Sequence, residues 1–264
     1  MTLPAQQTAD LGSARITYRD RGEGPVMVFL HGLAGNARSW TYQFDAFSER
    51  QRVIAWDAPG FGGSDCVPAD AVCFSDTLLA LMDYLDVKSM MLTGHSMGGI
   101  VAGTFAGRHP DRVSALTLSC THWGGTVPHD APLGAGYQAR VDSLKSIPPQ
   151  EYGQQRATAM LAHDTPSETI RLTASIAAET RADGLEIAAR MLQEADTRNH
   201  LAKLTMPVCV VSGEHDPVVR AATSSELAAM IPQSTHVIIP RAGHAPYLEH
   251  PVPYNAALRT AFRI

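Results

Sequence analysis

Long hydrophobic runs are missing from this 264-residue chain. No apolar stretch approaches the roughly 20 residues that a membrane-spanning helix needs. Excess positive charge is missing too: 21 Lys and Arg stand against 26 Asp and Glu, a formal net charge of −5. That leaves no basic footprint for nucleic acid or an anionic lipid surface. The first dozen residues, Met1 to Gly12, have neither a basic start nor a long apolar core, which argues against a signal peptide. Cysteine is scarce, and Cys66, Cys73, Cys120 and Cys209 form no CxxC pair. Cys120 and Cys209 sit in apolar, strand-like runs, where a reduced, buried thiol is expected. There is no HExxH pattern and the histidines are dispersed, so no catalytic metal is expected. No phosphate-binding GxxxxGKS or GxxxxGKT loop occurs, and no GxGxxG opens a helix after the first strand, so nucleotide binding lacks support. Repeats and low-complexity segments are absent as well. What remains is a cytoplasmic globular protein, monomer or homodimer, whose partner is a small molecule rather than nucleic acid or membrane.

Hydrophobic residues make up 45% of the chain and charged residues 18%, enough apolar material for an ample core. The length suits one large α/β unit carrying an insertion. Strand-like runs at 14–18, 26–30, 52–56, 89–93, 113–120, 208–212 and 236–239 alternate with helical patterns, which predicts a mostly parallel sheet covered on both faces. Between Ser75 and Asp86 the apolar residues Leu78, Leu81, Met82 and Leu85 follow the three-four spacing of a helix with one buried face. Tyr254, Leu258, Ala261 and Phe262 put a similar stripe on a closing helix.

Between Thr121 and Leu204 the alternation stops. Helical stretches at 149–163, 168–178 and 185–195 follow glycine and proline clusters at 124–136, and the sheet resumes at Met206-Pro207. The expected organisation is a core of residues 1–122 and 205–264 with a helical cap inserted at 123–204. Such a cap would shield a site at the carboxyl ends of the strands and shape what enters. The other reading is that these helices simply extend the core.

The richest stretch is Gly94-His95-Ser96-Met97-Gly98-Gly99. An apolar run precedes it, and a helical segment from Ile100 to Arg108 follows, stopping before Pro110. A serine at the tip of so sharp a strand-to-helix turn is held in strained geometry with its hydroxyl pushed out of the sheet. The residues two before and two after it approach too closely for side chains, and both are glycine. A glycine-rich turn binding phosphate on its amides is the plainer alternative.

A serine hydroxyl needs a base within hydrogen-bond reach, and a histidine held by a carboxylate suits that role. Asp216 follows the strand at 208–212 and His244 follows the last strand, so Ser, Asp and His fall in that order at strand ends. Glu214 competes with Asp216 for the acid role, and Asp216 before Pro217 would also suit a plain turn. The transition state needs donors for a developing oxyanion. The amide of Met97 is one candidate. The other is the amide of Leu33, in the loop His31-Gly32-Leu33 after the strand at 26–30, where His31 holds the loop by hydrogen bonding. His122 and Trp123, at the junction of strand and insertion, line a substrate pocket or pack at the cap hinge. Arg181 and Arg190 bind a substrate carboxylate or lie solvated on helix faces.

Five segments carry a resemblance: His31-Gly32, Asp57-Ala58-Pro59-Gly60-Phe61-Gly62-Gly63-Ser64, the Ser96 turn, Gly213-Glu214-His215-Asp216, and Ala242-Gly243-His244-Ala245-Pro246. Together they make the chain resemble the compact, capped members of the α/β-hydrolase superfamily, a group that includes carboxylesterases, enol-lactonases and hydrolases of carbon–carbon bonds in ring-cleavage products. The resemblance implies a cofactor-independent serine hydrolase acting on a small ester or enol-lactone through an acyl-enzyme. Its triad would be Ser96, His244 and Asp216, and its oxyanion hole Leu33 and Met97. Relatives that cleave carbon–halogen bonds or epoxides carry aspartate at the nucleophile position, so Ser96 argues against both chemistries. Ring-cleavage hydrolases often carry tryptophan after the histidine; Ala245 stands there. Other reactions with the same triad, by a carbon–carbon hydrolase, lyase or cofactor-free oxygenase, are the alternative, as is a hydrolase-like ligand sensor. The segment 57–64 reads as backbone shaping, with no catalytic role for Asp57.

Overall fold

A computed structural model describes residues 3–264; Met1 and Thr2, the first residues of the polar leading stretch, lie outside the described residues. Eight strands form one sheet: β1 (Gln6–Asp10), β2 (Arg15–Arg21), β3 (Val26–Leu30), β4 (Arg52–Trp56), β5 (Met90–His95), β6 (Val113–Ser119), β7 (Val208–Gly213) and β8 (Thr235–Ile239). Their order is β1-β2-β4-β3-β5-β6-β7-β8. The β1–β2 and β2–β4 pairs are antiparallel, and every other pair is parallel. This is the mostly parallel α/β architecture that the alternating pattern predicts.

The central strands are apolar on both faces because helices cover both faces. Along β3 the period of two divides the side chains cleanly: Val28 and Leu30 enter one core, Met27 and Phe29 the other. The first core gathers α2 (Ala71–Tyr84), α3 (Met97–Arg108) and, later in the chain, α7 (Ala182–Glu194) and α9 (Ala221–Met230). The second core lies under α1 (Thr41–Phe47), α10 (Pro246–Glu249) and α11 (Pro251–Phe262). Fully buried Phe29, Trp40, Phe44 and Tyr254 fill it.

Between β6 and β7 the chain makes five helices: α4 (Ala135–Ser146), α5 (Pro149–Met160), α6 (Ser167–Ala177), α7, and the single turn α8 (Arg198–Leu201). Helices α5 and α6 pack backbone to backbone, since a Cβ on Gly153 would stand 2.2 Å from the Ala174 carbonyl oxygen. The start of α7 touches the loop after β4 even more closely, where a Cβ on Gly184 would meet the Gly60 oxygen at 1.9 Å. Ala188, Met191 and Leu192 of α7 belong to the first core, and Ala157 and Leu161 near the end of α5 to the second. The inserted helices are thus anchored in the main core at two places. Val141, Tyr152 and Leu185 form a small buried cluster of their own. Among the described residues no helix is long and apolar enough to cross a membrane.

Candidate active site

The carboxyl ends of the parallel strands converge where open α/β sheets place their ligands. At the end of β5, Ser96 adopts φ 51° and ψ −113°, a left-handed conformation that is costly for a residue with a Cβ. Its amide donates to the Ser119 carbonyl at 2.9 Å, and its carbonyl accepts from the Thr121 hydroxyl at 2.7 Å. The turn leaves no room beside it: a Cβ on Gly94 would lie 2.2 Å from the Gly98 oxygen, and one on Gly98 2.3 Å from the Leu30 oxygen. Both glycines are therefore demanded by close approach. The Ser96 side chain is half-buried and makes no hydrogen bond among the described residues.

His244, in the loop after β8, and Asp216, in the loop after β7, are both buried, and Nδ1 of the histidine lies 2.9 Å from Oδ2 of the aspartate. The other carboxylate oxygen, Oδ1, accepts the amides of Val218 and Val219 at 2.8 and 2.9 Å. Burial works against the Asp216 charge, but the hydrogen bond and charge of His244 and these two amides together hold its carboxyl below the usual range. Glu214 does something else, accepting the Arg241 amide at 2.8 Å and staying half-exposed. The acid facing the histidine is Asp216.

The loop after β3 packs directly on the serine turn, since a Cβ on Gly32 would lie 2.6 Å from His95 Nδ1 and 3.1 Å from the Ser96 Cβ. His31 pins that loop. Its Nδ1 lies 2.8 Å from the Gly32 oxygen and its Nε2 accepts the Ala58 amide at 2.9 Å, so the ring is the neutral Nδ1–H tautomer. Burial lowers its pKa accordingly. Asp57 braces the same region, accepting the Ala37 amide at 2.8 Å and the Thr17 hydroxyl at 2.6 Å, which is the backbone-shaping role expected of its segment. Leu33 and Ser96 line one cavity with His244, and Met97 supplies the first amide of α3, where a helix has no internal acceptor.

That cavity holds about 470 Å³. His122 lines it, its Nδ1 accepting the Gly124 amide at 2.9 Å and burial lowering its pKa. Trp123 is not among the lining residues; its carbonyl accepts the amide and hydroxyl of Thr197, closing the strand-to-insertion hinge. Nor do the arginines singled out in the sequence reach it. Arg181 is spent on the Gly62 and Ser64 carbonyls and on Asp183, because it precedes α7 at the docking point with the β4 loop. Arg190 is held by Glu194, one turn further along α7, and by the Ala131 carbonyl. The lining arginines are Arg140 of α4 and Arg156 of α5.

Glu249 is a further residue of the candidate site that the sequence does not announce. Buried at the end of α10, it accepts the amides of Gly243 and Ala245, on either side of His244, at 3.0 Å each. Its Oε2 also accepts the Ala162 amide and the Thr165 hydroxyl at 2.8 and 2.9 Å. One carboxylate thus ties the histidine loop to the α5–α6 connection, and the His244 amide adds a bond to the Met160 carbonyl at 2.8 Å.

Among the described residues, the group suited to a metal is His95, Cys120 and His244, with ligand atoms within 4.8 Å of one another. The donor set fits poorly. Metals take thiolate, whereas burial and the neighbouring Asp216 charge keep the Cys120 thiol protonated. His95 Nε2 is already bonded to the His244 carbonyl oxygen at 2.7 Å.

Known proteins resemble this chain in sequence and fold. The chain is 29% identical over 257 residues to the dihydrolipoyllysine-residue acetyltransferase component of an acetoin cleaving system from Pseudomonas putida, covering 93% of this chain and 66% of that protein, so it spans about two thirds of that relative. It is 27% identical over 270 residues to 3-oxoadipate enol-lactonase 2 of Acinetobacter baylyi, covering 99% and 96% of the two chains. The structure of a thermophilic esterase from Thermogutta terrifontis superposes with a TM-score of 0.85 at 26% identity, over 98% of each chain. A family model for the alpha/beta hydrolase fold matches residues 25–251. With that match over most of its length, the chain belongs to the alpha/beta hydrolase family and is a hydrolase.

Proposed function

We propose that the protein hydrolyses a small carboxylic ester or lactone through an acyl-enzyme, without a cofactor, with Ser96 as nucleophile, His244 as base and Asp216 as its orienting acid. The observation that carries this reading is the buried His244–Asp216 hydrogen bond beside a strained serine in one cavity. Ser96 Oγ adds to the substrate carbonyl carbon while His244 Nε2 accepts its proton. Asp216 fixes the tautomer with Nδ1–H and stabilises the imidazolium that forms. The Leu33 and Met97 amides receive the negative charge on the carbonyl oxygen. Collapse expels the alcohol, which takes the proton from His244, and the ester of Ser96 remains. Water, deprotonated by the same histidine, then releases the acid and restores the serine.

Residues 123–204 act in this reading as a cap over the strand ends, a role supported by the lining residues that α4, α5 and α7 contribute. The enol-lactonase and esterase relatives support the substrate class. The four cysteines are free, which supports a reducing, cytoplasmic setting, with the enzyme acting as a monomer or homodimer on a small molecule.

The test is turnover of p-nitrophenyl acetate, butyrate and octanoate, with fluorophosphonate labelling. The expected result is hydrolysis and labelling that both vanish in Ser96→Ala. Turnover that survives in Ser96→Ala, or a folded wild-type protein that takes no label, overturns the acyl-enzyme and favours a lyase, oxygenase or ligand sensor.

A further inference from the structure

The chain carries a net charge of −5, yet the cavity that Ser96 and His244 share is lined by two arginines and by no aspartate or glutamate. Arg140 and Arg156 come from different helices, α4 and α5, and are both half-buried. Neither forms an ion pair or a hydrogen bond with any described residue, whereas Arg181 and Arg190, outside the cavity, do both. Arg140 is steadied by the face of Tyr137, with its guanidinium carbon 5.9 Å from the ring centroid. That contact orients a cation without neutralising it. Burial, then the charge of Arg140, depress the Arg156 pKa, so the two like charges feel each other across the cavity wall. Two neighbouring, partly desolvated cations without a counter-charge raise the free energy of the empty site. An anion between them removes that penalty. Guanidinium forks match a carboxylate in two parallel hydrogen bonds.

We infer that Arg140 and Arg156 form an anion subsite, so that the substrate is an ester or lactone carrying a free carboxylate. The inference rests on the hydrolytic reading above and deepens it. One part of the cavity handles the scissile carbonyl at Ser96, and the other holds the carboxylate at α4 and α5. The substrate class is then a half-ester of a dicarboxylic acid, or a lactone with a carboxylate side arm, and one product is a dicarboxylate or a hydroxy-dicarboxylate.

The experiment compares mono-p-nitrophenyl adipate with methyl p-nitrophenyl adipate, its uncharged counterpart. Wild-type kcat/KM should favour the acid, and Arg140→Gln or Arg156→Gln should lower the acid-to-methyl-ester ratio at least about tenfold, as loss of one charge-assisted pair implies. Arg190→Gln, outside the cavity, should keep the wild-type ratio. No preference in the wild type, or a ratio that survives both arginine changes, overturns the inference. Wild-type inhibition gives a reading that needs no variant: adipate should compete with the methyl ester, and adipamide should not. Equal competition by inorganic phosphate overturns the assignment to a carboxylate. If neither ester is turned over, the hydrolytic reading fails by itself. The subsite is then read from adipate raising the Tm of the wild type and not of Arg156→Gln, and no rise overturns it.

Discussion

The sheet end and the helices that cover it hold their polar groups in opposite ways. At the sheet end three titratable side chains are saturated with protein partners: Asp216 has His244 and two amides, Glu249 four donors, and His31 a bond at each ring nitrogen. In the cover, Arg140 and Arg156 face one cavity with neither an ion pair nor a hydrogen bond among the described residues. Reaction geometry has to exist before substrate arrives, because reorganising dipoles during the reaction would add to the barrier. Selectivity can wait for the ligand, since groups that a substrate completes favour that substrate alone. The division also explains why the cover is docked rather than loose. Gly184 meets Gly60 backbone to backbone, and Met160 of α5 accepts the His244 amide, so the two halves share one register.

The largest break in this comparison should come from the sheet end. Asp216→Asn keeps the shape but presents an amide where a carboxylate accepts the Nδ1–H. A fall of about 10⁴-fold in kcat is expected, the scale seen when a triad histidine loses its tautomer control. Steady-state kinetics on a neutral p-nitrophenyl ester checks it, and a loss under tenfold would mean that Asp216 is only a turn residue. Next comes Glu249→Gln, which puts an NH₂ group against backbone N–H donors around His244. A loss of roughly 2–3 kcal/mol of stability is expected from a carboxylate hydrogen-bond set broken in a buried site, measured by urea unfolding. Its kcat should drop while the acid-to-methyl-ester preference stays, because the arginines are not touched. A smaller effect separates cover from sheet: Gly184→Ala must push α7 off the β4 loop, an overpacking cost of about 1–3 kcal/mol. Scanning calorimetry should show a lowered Tm, and an unchanged Tm would show that the docking yields freely.

How much of this was legible follows the same division. The strands at 26–30 and 52–56 read to the residue, since buried parallel strands are continuous apolar runs closed by turn residues. The serine turn, His244, Asp216 and the His31 loop, singled out by glycine spacing and chain order, are brought together at the strand ends. β1 escaped notice. Its residues Gln6–Asp10 are polar and only Ala9 is buried, so pairing with β2 makes the strand and no alternation reveals it. α4 is equally faint, since Val141 is its single buried residue and the glycine cluster before it reads as loop. Glu249 looks like a surface residue because its partners are scattered from Ala162 to Ala245. For the arginines, those expected at the cavity, Arg181 and Arg190, lie outside it, and Arg140 and Arg156 line it. Which guanidinium is ion-paired depends on where the acids fall in space: Asp183 and Glu194 claim Arg181 and Arg190, and among the described residues no acid pairs with Arg140 or Arg156.

The last effect, and the one that sharpens the comparison most, concerns protons. His95 is wholly buried beneath the serine turn, bonded through Nε2 to the His244 carbonyl, and its Nδ1 has no partner among the described residues. Burial first, and the neighbouring His244 second, push its pKa from 6.5 down to about 3. Between those two values the unfolded chain binds a proton that the folded chain refuses. Stability contributed by this group is therefore complete above about pH 6.5 and drains away as pH falls toward 3. One group of this kind contributes a slope of at most about 1.4 kcal/mol per pH unit. His95→Gln retains an N–H donor for the His244 carbonyl and removes the titration. Urea unfolding at pH 4, 5 and 7 should show a shallower acid loss in the variant, and equal slopes would assign the loss to another group. The same change should leave the anion preference at Arg140 and Arg156 where it was. The sheet end refuses a proton at His95, whereas the cover keeps two guanidinium groups with no carboxylate beside them among the described residues.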